Sequence, residues 1–410
     1  MNSYKKLLPV FVLLLLFTSV TAQVNNKPAK AYNIEQATSG RAQLHTIAFD
    51  GLAFLTGNFG ADCFFPPGKV ADFFGFQYMR DNDKNLMGHN TDFLTRIANN
   101  VISILNKDQL SKLVSLANEQ ADLYTDFANK RMILIKAFRS SLEDNVPKNS
   151  AGLNKAAVIK YCGELYRIDG ELSYRRAEVM GEIIRSFSAD QKLAFSKLDF
   201  GNSDTWPIMP ENLDKKSMTH RAHVGVMTYA SELFSWYKGN VEADVYFCPE
   251  RHGTYFGGFY LKDYPAMGNH GYNISTALTG DAGKSFLEIL NPQQRKLMDT
   301  LPSLQKNNLG EIVKIRTQVA ESLRKFMTGE KTDKAAVIAD VIKYGNQDGE
   351  MSWYYANALT QIHKTLTVAQ KEELKKLRNL DVLPQGTYLY SDVIPVPENL
   401  NCDFLFTATR

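Results

Sequence analysis

Four short stretches of sequence decide the fold of this chain: Leu105-Asn106-Lys107-Asp108-Gln109, Phe187-Ser188-Ala189-Asp190-Gln191, Leu290-Asn291-Pro292-Gln293-Gln294 and Leu366-Thr367-Val368-Ala369-Gln370. Each has an apolar residue, then Asn, Ser or Thr, then two further residues, then Gln. This pattern is typical of a capping box, in which the short polar side chain and the Gln exchange hydrogen bonds with each other's backbone N–H groups. Apolar residues stand seven positions beyond the caps, as in helices with an inward-facing stripe: Leu113, Phe195, Met298 and Leu374. The sequence therefore predicts four helix starts.

Helical periodicity extends around these starts, and little of the chain alternates apolar and polar residues for long enough to form a sheet. We predict an all-α fold with helices near 92–104, 107–143, 153–186, 189–198, 277–289, 292–328, 333–364 and 368–378. The segments 56–88 and 238–272 differ, because Gly, Pro and many aromatic residues interrupt any helical period. These two segments are expected to be irregular and to pack over the long helices.

Much of the sequence occurs twice. For example, Gly57-Asn58-x-x-Ala61-Asp62 recurs as Gly239-Asn240-x-x-Ala243-Asp244, at an offset of 240 − 58 = 182 residues. Lys155-Ala-Ala-Val-Ile matches Lys334-Ala-Ala-Val-Ile, and Asp169-Gly170-Glu171 matches Asp348-Gly349-Glu350. Because the matches keep their order, we predict a tandem duplication of a long-helix unit. The predicted organisation is a signal peptide at 1–22, a loose leader at 23–40, and helical repeats at 41–213 and 214–410.

The first residues have the features of a secretory signal: Lys5 and Lys6, an apolar run from Leu7 to Phe17, and small residues up to Ala22. We therefore expect a periplasmic or secreted protein. No later stretch approaches the roughly 20 apolar residues that span a bilayer. Without Lys5 and Lys6 the chain has 47 − 2 = 45 basic and 44 acidic residues, a balance that argues against general nucleic-acid binding.

The four capping stretches resemble the LTxxQ motif of the Spy/CpxP family, small exported helical proteins of Gram-negative bacteria with relatives among periplasmic heavy-metal sensors. A family member typically carries two such motifs, and each copy here carries two. The resemblance covers roughly 90–200 and 275–380, where Thr367 keeps the family's Thr and Asn106, Ser188 and Asn291 replace it. It implies a long-helix fold, often dimeric, with ATP-independent binding of unfolded clients or a role in stress and metal sensing.

Acidic residues interrupt an apolar helical stripe at equivalent places in the two copies. The candidate acidic residues are Asp169, Glu171, Asp348 and Glu350. Burial would raise the pKa of such a carboxyl group unless a cation pairs with it, so one hypothesis is a pair of acid or metal sites. The alternative is structural: the aspartates bond to backbone or Arg, while Gly170 and Gly349 permit close contact between helices.

A candidate site for one transition metal lies in the second copy. His220 and His223 share a helix face if 219–236 is helical, and Cys248 and His252 also have ligand-like spacing. The alternative is that two His three residues apart on an exposed helix are simply solvated. No other cofactor is expected.

The irregular segments are dense in aromatic residues, and the candidate client-binding residues are Phe73, Phe76, Phe256 and Phe259. Such density can line a binding surface. Packing of a loop onto the long helices explains it equally well.

The four cysteines, Cys63, Cys162, Cys248 and Cys402, permit two bridges in any of three connectivities in an oxidising compartment. Their pairing cannot be read from the sequence.

Three functional hypotheses follow from these observations. The first is an exported, non-enzymatic protein that binds unfolded proteins or envelope partners, in an ATP-independent chaperone or stress-response role. The second is a periplasmic metal-binding or metal-sensing protein. The third is an enzyme that uses the acidic residues, although no motif establishes one. As to assembly, we expect a monomer with an internal pseudo-dimer, or a homodimer.

Overall fold

The computed structural model of this chain describes residues 35, 40–56, 92–199, 205–239, 282–377 and 399–408, and these residues confirm the all-α fold. Their helices are α1 (Gly40–Thr56), α2 (Asp92–Ile104), α3 (Lys107–Leu142), α4 (Lys155–Arg185), α5 (Ala189–Ser196), α6 (His220–Lys238), α7 (Ala282–Ile289), α8 (Pro292–Thr328), α9 (Lys334–Thr365) and α10 (Val368–Lys376). Two short strands, β1 (Ser150–Leu153) and β2 (Phe406–Ala408), pair antiparallel. In the part of the chain that the structure describes, no helix combines the length and apolar character needed to cross a membrane.

All four predicted helix starts are confirmed, and each carries both hydrogen bonds of a capping box. At the start of α3, the Asn106 side chain accepts from the Gln109 backbone N–H at 2.9 Å, and the Gln109 side chain accepts from the Asn106 N–H at 2.9 Å. The four apolar residues predicted to face inward are all buried: Leu113, Phe195, Met298 and Leu374. Capping and apolar periodicity act within two helical turns, so the local sequence was sufficient to predict them.

The two capping boxes of each predicted copy also hydrogen-bond to each other, which their sequences did not predict. The Gln191 amide donates to Gln109 Oε1 at 2.7 Å and to the Ile104 carbonyl at 2.8 Å. The Gln370 amide donates to Gln294 Oε1 at 2.8 Å and to the Ile289 carbonyl at 2.9 Å. A Glu could complete a capping box but could not donate these bonds, so the contact explains why the residue is Gln.

The helices α4 and α9 form the centre of the molecule and lie antiparallel along their length. The Trp353 indole N–H donates to the Leu153 carbonyl, just before α4, at 3.1 Å. At the opposite end, the Tyr174 hydroxyl donates to the Thr332 carbonyl, just before α9, at 3.1 Å. The two aromatic residues occupy corresponding positions of the predicted copies, so the two ends of this helix pair are built alike.

The first helix of each predicted copy packs on helices of the other copy. The helix α6 lies against α2 and α3, whereas α1 lies against α7 and α8. We call α2 to α6 the first half, and α7 to α10 together with α1 the second half. The predicted boundary between 213 and 214 therefore separates matching sequences but does not separate packed units. The helix α1 itself was not predicted, because its apolar residues do not follow a single stripe.

The last described residues form hydrogen bonds with residues of the first half. The backbone N–H of Asn154 donates to the Leu405 carbonyl at 2.8 Å, and the Lys136 ammonium donates to the Leu400 carbonyl at 2.6 Å. Leu405 and Phe406 are buried. This tail, residues 399–408, therefore joins the C-terminal part of the chain to the turn between α3 and α4.

Candidate functional site

The two candidate aspartates lie inside the contact between α4 and α9, where Asp169 is 0% and Asp348 is 3% exposed. The glycine after each one lies where the helices meet. A Cβ atom added at Gly170 would lie 3.0 Å from Ile338 Cδ1, and one added at Gly349 would lie 2.7 Å from Cys162 Cβ. The glycines therefore permit close helix contact, as the structural interpretation of the Asp-Gly-Glu elements expects.

A buried polar cluster surrounds Asp348. The Tyr166 hydroxyl donates to Asp348 Oδ2 at 2.7 Å. The Cys162 thiol is fully buried, and burial first, with the charge of Asp348 second, raises its pKa well above the ordinary value. A buried thiol with a raised pKa is a poor nucleophile, because the thiolate is the reactive form.

The two candidate glutamates lie at the edge of the same helix pair, away from the aspartates. Glu171 accepts from Arg167 Nη1 at 2.6 Å. Glu350 lies 2.6 Å from Lys155 Nζ and accepts from Asn308 Nδ2 at 2.8 Å. Burial acts to raise the pKa of Glu350, but the hydrogen bonds from Lys155 and Asn308 outweigh it and leave that pKa lowered. Each Asp-Gly-Glu element therefore holds one buried carboxyl group and one that is ion-paired and partly exposed.

Lysines at the starts of α4 and α9 stack on aromatic rings of the opposite helix, a feature that the sequence analysis did not assign. The Lys155 ammonium lies 5.4 Å from the centre of the Trp353 ring and 4.6 Å from that of Tyr354. The Lys334 ammonium lies 5.6 Å from the centre of the Tyr174 ring. The repeated Lys-Ala-Ala-Val-Ile sequence marked both lysines, but only the antiparallel helix pair supplies their aromatic partners.

A buried ion pair holds α6 in the first half. Arg176 and Glu232 are 1% and 0% exposed at their side chains, and Arg176 Nη1 lies 2.7 Å from Glu232 Oε2. Beside them, the Tyr229 hydroxyl donates to Gln120 Oε1 at 2.6 Å, and the Gln120 amide donates to the Leu172 carbonyl at 3.0 Å. This network connects α3, α4 and α6, so it fixes three helices around one charged centre.

At the corresponding place in the second half, the described hydrogen bonds join neutral side chains. Tyr355 corresponds to Arg176 in the predicted duplication, and its hydroxyl donates to Gln305 Oε1. The Gln305 amide in turn donates to Gln43 Oε1 of α1 at 3.1 Å. All three side chains are buried. Sequence reasoning missed both networks, because each depends on a helix from the other predicted copy.

The candidate metal ligands are only partly within the described residues. His220 is exposed at the start of α6, and His223 Nε2 contacts Glu211 Oε1. The other Glu211 oxygen lies 2.9 Å from Lys215 Nζ. Burial acts to raise the pKa of Glu211, but the bonds from Lys215 and His223 leave it lowered.

Within the described ranges, no group of three or more His, Cys, Asp or Glu is arranged to hold a metal ion. The other two candidate ligands, Cys248 and His252, lie outside the described residues.

The remaining candidates divide between described and undescribed residues. Cys162 and Cys402 are buried free thiols in the described part of the chain. Cys63 and Cys248 lie outside the described residues. The candidate client-binding residues also lie outside them: Phe73, Phe76, Phe256 and Phe259.

Comparison of this chain with family models, with curated proteins and with solved structures found no match. The fold and the contacts described above define an all-α protein with two helical halves joined along a central antiparallel helix pair.

Proposed function

We propose that this chain is an exported, non-enzymatic protein that binds unfolded proteins or envelope partners without ATP, as the LTxxQ-like motifs suggest. The observation that carries the proposal is a matching contact near the end of each helix that precedes an aromatic-rich segment in sequence. Phe54, in the last turn of α1, lies 5.1 Å from the Arg139 guanidinium of α3. Trp236, near the end of α6, lies 6.0 Å from the Arg324 guanidinium of α8. The two helices that precede these segments in sequence thus end beside matching contacts between an aromatic ring and an arginine.

The composition of the two segments suits the capture of unfolded chains. A binder of such chains needs apolar surface flanked by charge. The candidate phenylalanines are accompanied in sequence by Lys69 and Arg80 in one segment and by Arg251 and Lys262 in the other. Two such segments on one chain could bind two parts of the same client, which strengthens binding through effective concentration.

The placement of the acidic candidates supports binding over catalysis. Asp169 and Asp348 lie within the packed helix pair, and Glu350 is held by Lys155 and Asn308. A general acid or base must reach its substrate within hydrogen-bonding distance. Asp348 and Glu350 are instead bonded to residues of neighbouring helices, Asp348 to Tyr166 of α4 and Glu350 to Lys155 of α4 and Asn308 of α8.

The test is the aggregation of a reduced or heat-stressed model substrate in the presence of the purified mature chain and without nucleotide. We expect the chain to slow aggregation, and we expect replacement of Phe73, Phe76, Phe256 and Phe259 by Ser to weaken this effect. The matched control is Leu193→Ser with Val368→Ser, since these described side chains are 58% and 80% exposed and belong to the helices. Circular dichroism checks that both variants keep their helices. Equal activity of the two variants, or no activity of the parent chain, would contradict the proposal.

Metal binding is the second candidate function, and it rests on one observation: His223 contacts Glu211, and His220 lies one turn before it on α6. A histidine that ligates a metal usually bonds to a carboxylate through its other ring nitrogen. Metal analysis of the purified chain, with His220→Ala and His223→Ala as variants, separates this candidate from the first. Uptake of one zinc or copper per chain that both variants abolish, together with unchanged aggregation of the substrate, would favour metal binding.

A further inference from the structure

The tail, residues 399–408, is held on the first half mainly through its backbone. The described hydrogen bonds that join it to the helices end on its carbonyl groups. The Lys136 ammonium of α3 donates to the Leu400 carbonyl at 2.6 Å, and the Asn154 backbone N–H donates to the Leu405 carbonyl at 2.8 Å. Strand β2 adds its backbone pairing with β1. Any extended chain offers the same backbone groups, so these bonds do not require the sequence of the tail.

The side chains that the tail buries are apolar. Leu405 is 0% and Phe406 is 7% exposed, whereas Thr407 and Ala408 of the same strand are exposed. The neighbouring Phe404 ring lies 5.4 Å from the Tyr161 ring of α4. The surface under the tail therefore fits an extended backbone that carries adjacent large apolar side chains.

We propose that the tail occupies, within its own chain, a binding site for extended apolar segments of unfolded proteins, so that a client segment binds there in place of β2. The site consists of β1, the Asn154 backbone N–H and the surface under Leu405 and Phe406. The proposal rests on the proposed function and names the class of client segment. Addition of a strand to a backbone edge is a known mode of peptide recognition, in which backbone bonds give affinity and side-chain pockets give specificity.

The site adjoins the helix end that precedes the first aromatic-rich segment in sequence. Lys136, which bonds to the tail, and Arg139 lie three residues apart on α3, so they occupy neighbouring positions on one face of that helix. Arg139 in turn contacts Phe54, in the last turn of α1. A client segment bound in place of the tail therefore lies beside the end of α1.

The tail is a small element, which favours its exchange for another segment. Its regular structure consists of one 3₁₀ turn, Asp403–Leu405, and the three residues of β2. Elements with few buried side chains open at a lower free energy than a helical core does. The backbone of an incoming segment re-forms the bonds that the departing tail breaks, so the fit of the side chains decides which segment is bound.

The first experiment weakens the tail within the full mature chain and measures the binding of a peptide. Leu405→Ser with Phe406→Ser removes the buried apolar side chains, and Thr407→Ser with Ala408→Ser is the matched control at exposed positions of the same strand. The probe is a fluorescent peptide of residues 399–410 with Cys402→Ser, and its anisotropy reports binding. A reduced and alkylated model protein, which stays unfolded, is the competitor.

We expect the weakened variant to bind the peptide about tenfold more tightly than the parent or the control does. The reason is that the tail fills the site in the parent, and only the open fraction of the chains binds the peptide. The unfolded competitor should displace the peptide, and a peptide with Leu405→Ser and Phe406→Ser should not bind. No binding to a folded weakened variant, equal binding by all three chains, or a peptide that the competitor does not displace would each overturn the proposal.

The outcomes distinguish this proposal from the role of the aromatic-rich segments. If the parent slows aggregation but the competitor does not displace the peptide, the tail site is wrong and the proposed function stands. If the competitor displaces the peptide but the parent does not slow aggregation, the aromatic-rich segments are not the client surface and the tail site stands. Displacement should persist when Phe73, Phe76, Phe256 and Phe259 are replaced by Ser in the weakened variant. Its loss there would overturn the tail site.

A second measurement applies if the weakened variant does not fold. Hydrogen exchange of the parent chain is followed by mass spectrometry, with and without an excess of the unfolded competitor. We expect exchange in residues 399–408 to become faster and exchange in β1 to stay slow, because the incoming segment replaces β2 on β1. Unchanged exchange in the tail, or faster exchange in both strands, would overturn the proposal.

Discussion

Each half of the molecule packs an outer helix against its other helices, and the described polar contacts of that helix differ between the two halves. In the first half, the outer helix α6 is joined to α4 by the buried ion pair of Arg176 and Glu232. In the second half, the hydrogen bonds described between the outer helix α1 and α8 and α9 run through Gln43, Gln305 and Tyr355, which are neutral. Burying an ion pair costs desolvation free energy, and removing one partner of a buried pair strongly destabilises the fold. A neutral hydrogen bond costs less free energy to bury, and its loss destabilises the fold less. Among the described contacts, a charged pair therefore joins the outer helix of the first half, and neutral hydrogen bonds join that of the second.

The largest effect is expected when the ion pair of the first half is broken. Glu232→Gln keeps the shape of the side chain but removes the carboxylate that pairs with the buried Arg176, which should cost about 3–5 kcal/mol of unfolding free energy. In the second half, Tyr355→Phe should cost about 1 kcal/mol, because it removes one neutral hydrogen bond. Denaturant unfolding of both variants measures the difference. Equal losses in the two halves would remove the distinction between them.

The next largest effect concerns the central helices that join the halves. A Cβ atom at Gly345 would lie 2.6 Å from Tyr166 Cβ and 2.7 Å from the Cys162 carbonyl oxygen. Gly345→Ala should therefore force α4 and α9 apart and cost about 2–3 kcal/mol. The control is Gly310→Ala in α8, where the added Cβ meets nothing within 4 Å. It should stabilise the chain by about 1 kcal/mol, since Ala favours the helix more than Gly does. A harmless Gly345→Ala would show that the central helices do not pack this closely.

A smaller effect should be the same in both halves, because their paired capping boxes are alike. Gln191→Glu or Gln370→Glu keeps an acceptor for the N-cap backbone N–H but removes the amide donor to the Ile104 or Ile289 carbonyl. Each change should lower the free energy of unfolding by about 2 kcal/mol. Removal of a cap by Asn106→Ala or Thr367→Ala should cost about 1 kcal/mol and leave client binding unchanged. Thermal unfolding measures all four variants. If every cap variant melts like the parent, the boxes contribute nothing to the helix starts.

The smallest effect depends on pH and arises where the halves meet, between Lys155 of α4 and Glu350 of α9. The pKa of Glu350 is lowered from its ordinary value of 4.5 in the folded chain. Its contribution to stability is therefore present above pH 4.5 and is lost as the pH falls through the folded-state pKa. We expect the difference in unfolding free energy between parent and Glu350→Gln to shrink over that interval. A difference that does not change with pH would show that the charge of Glu350 is not what stabilises the contact.

The candidate site residues show which structural features a local sequence pattern can predict. The Asp-Gly-Glu elements were recognised because they interrupt apolar stripes, and the aspartates are indeed buried. Their surroundings were not predictable, because Tyr166 and Asp348 lie 182 residues apart in sequence and meet only across the central helix pair. The candidate phenylalanines were selected by composition alone, and their role as a client-binding surface stays a prediction.

By itself, the sequence determined where the four capped helices begin and which side of each is buried. Those features depend on hydrogen bonds and apolar spacing within two helical turns. Only the tertiary structure decided which helix completes which half. The deciding contacts join residues far apart in sequence, such as Arg176 with Glu232 at a separation of 56 and Gln43 with Gln305 at a separation of 262. Such partners become neighbours only when the halves pack, so no local pattern could assign α6 to the first half and α1 to the second.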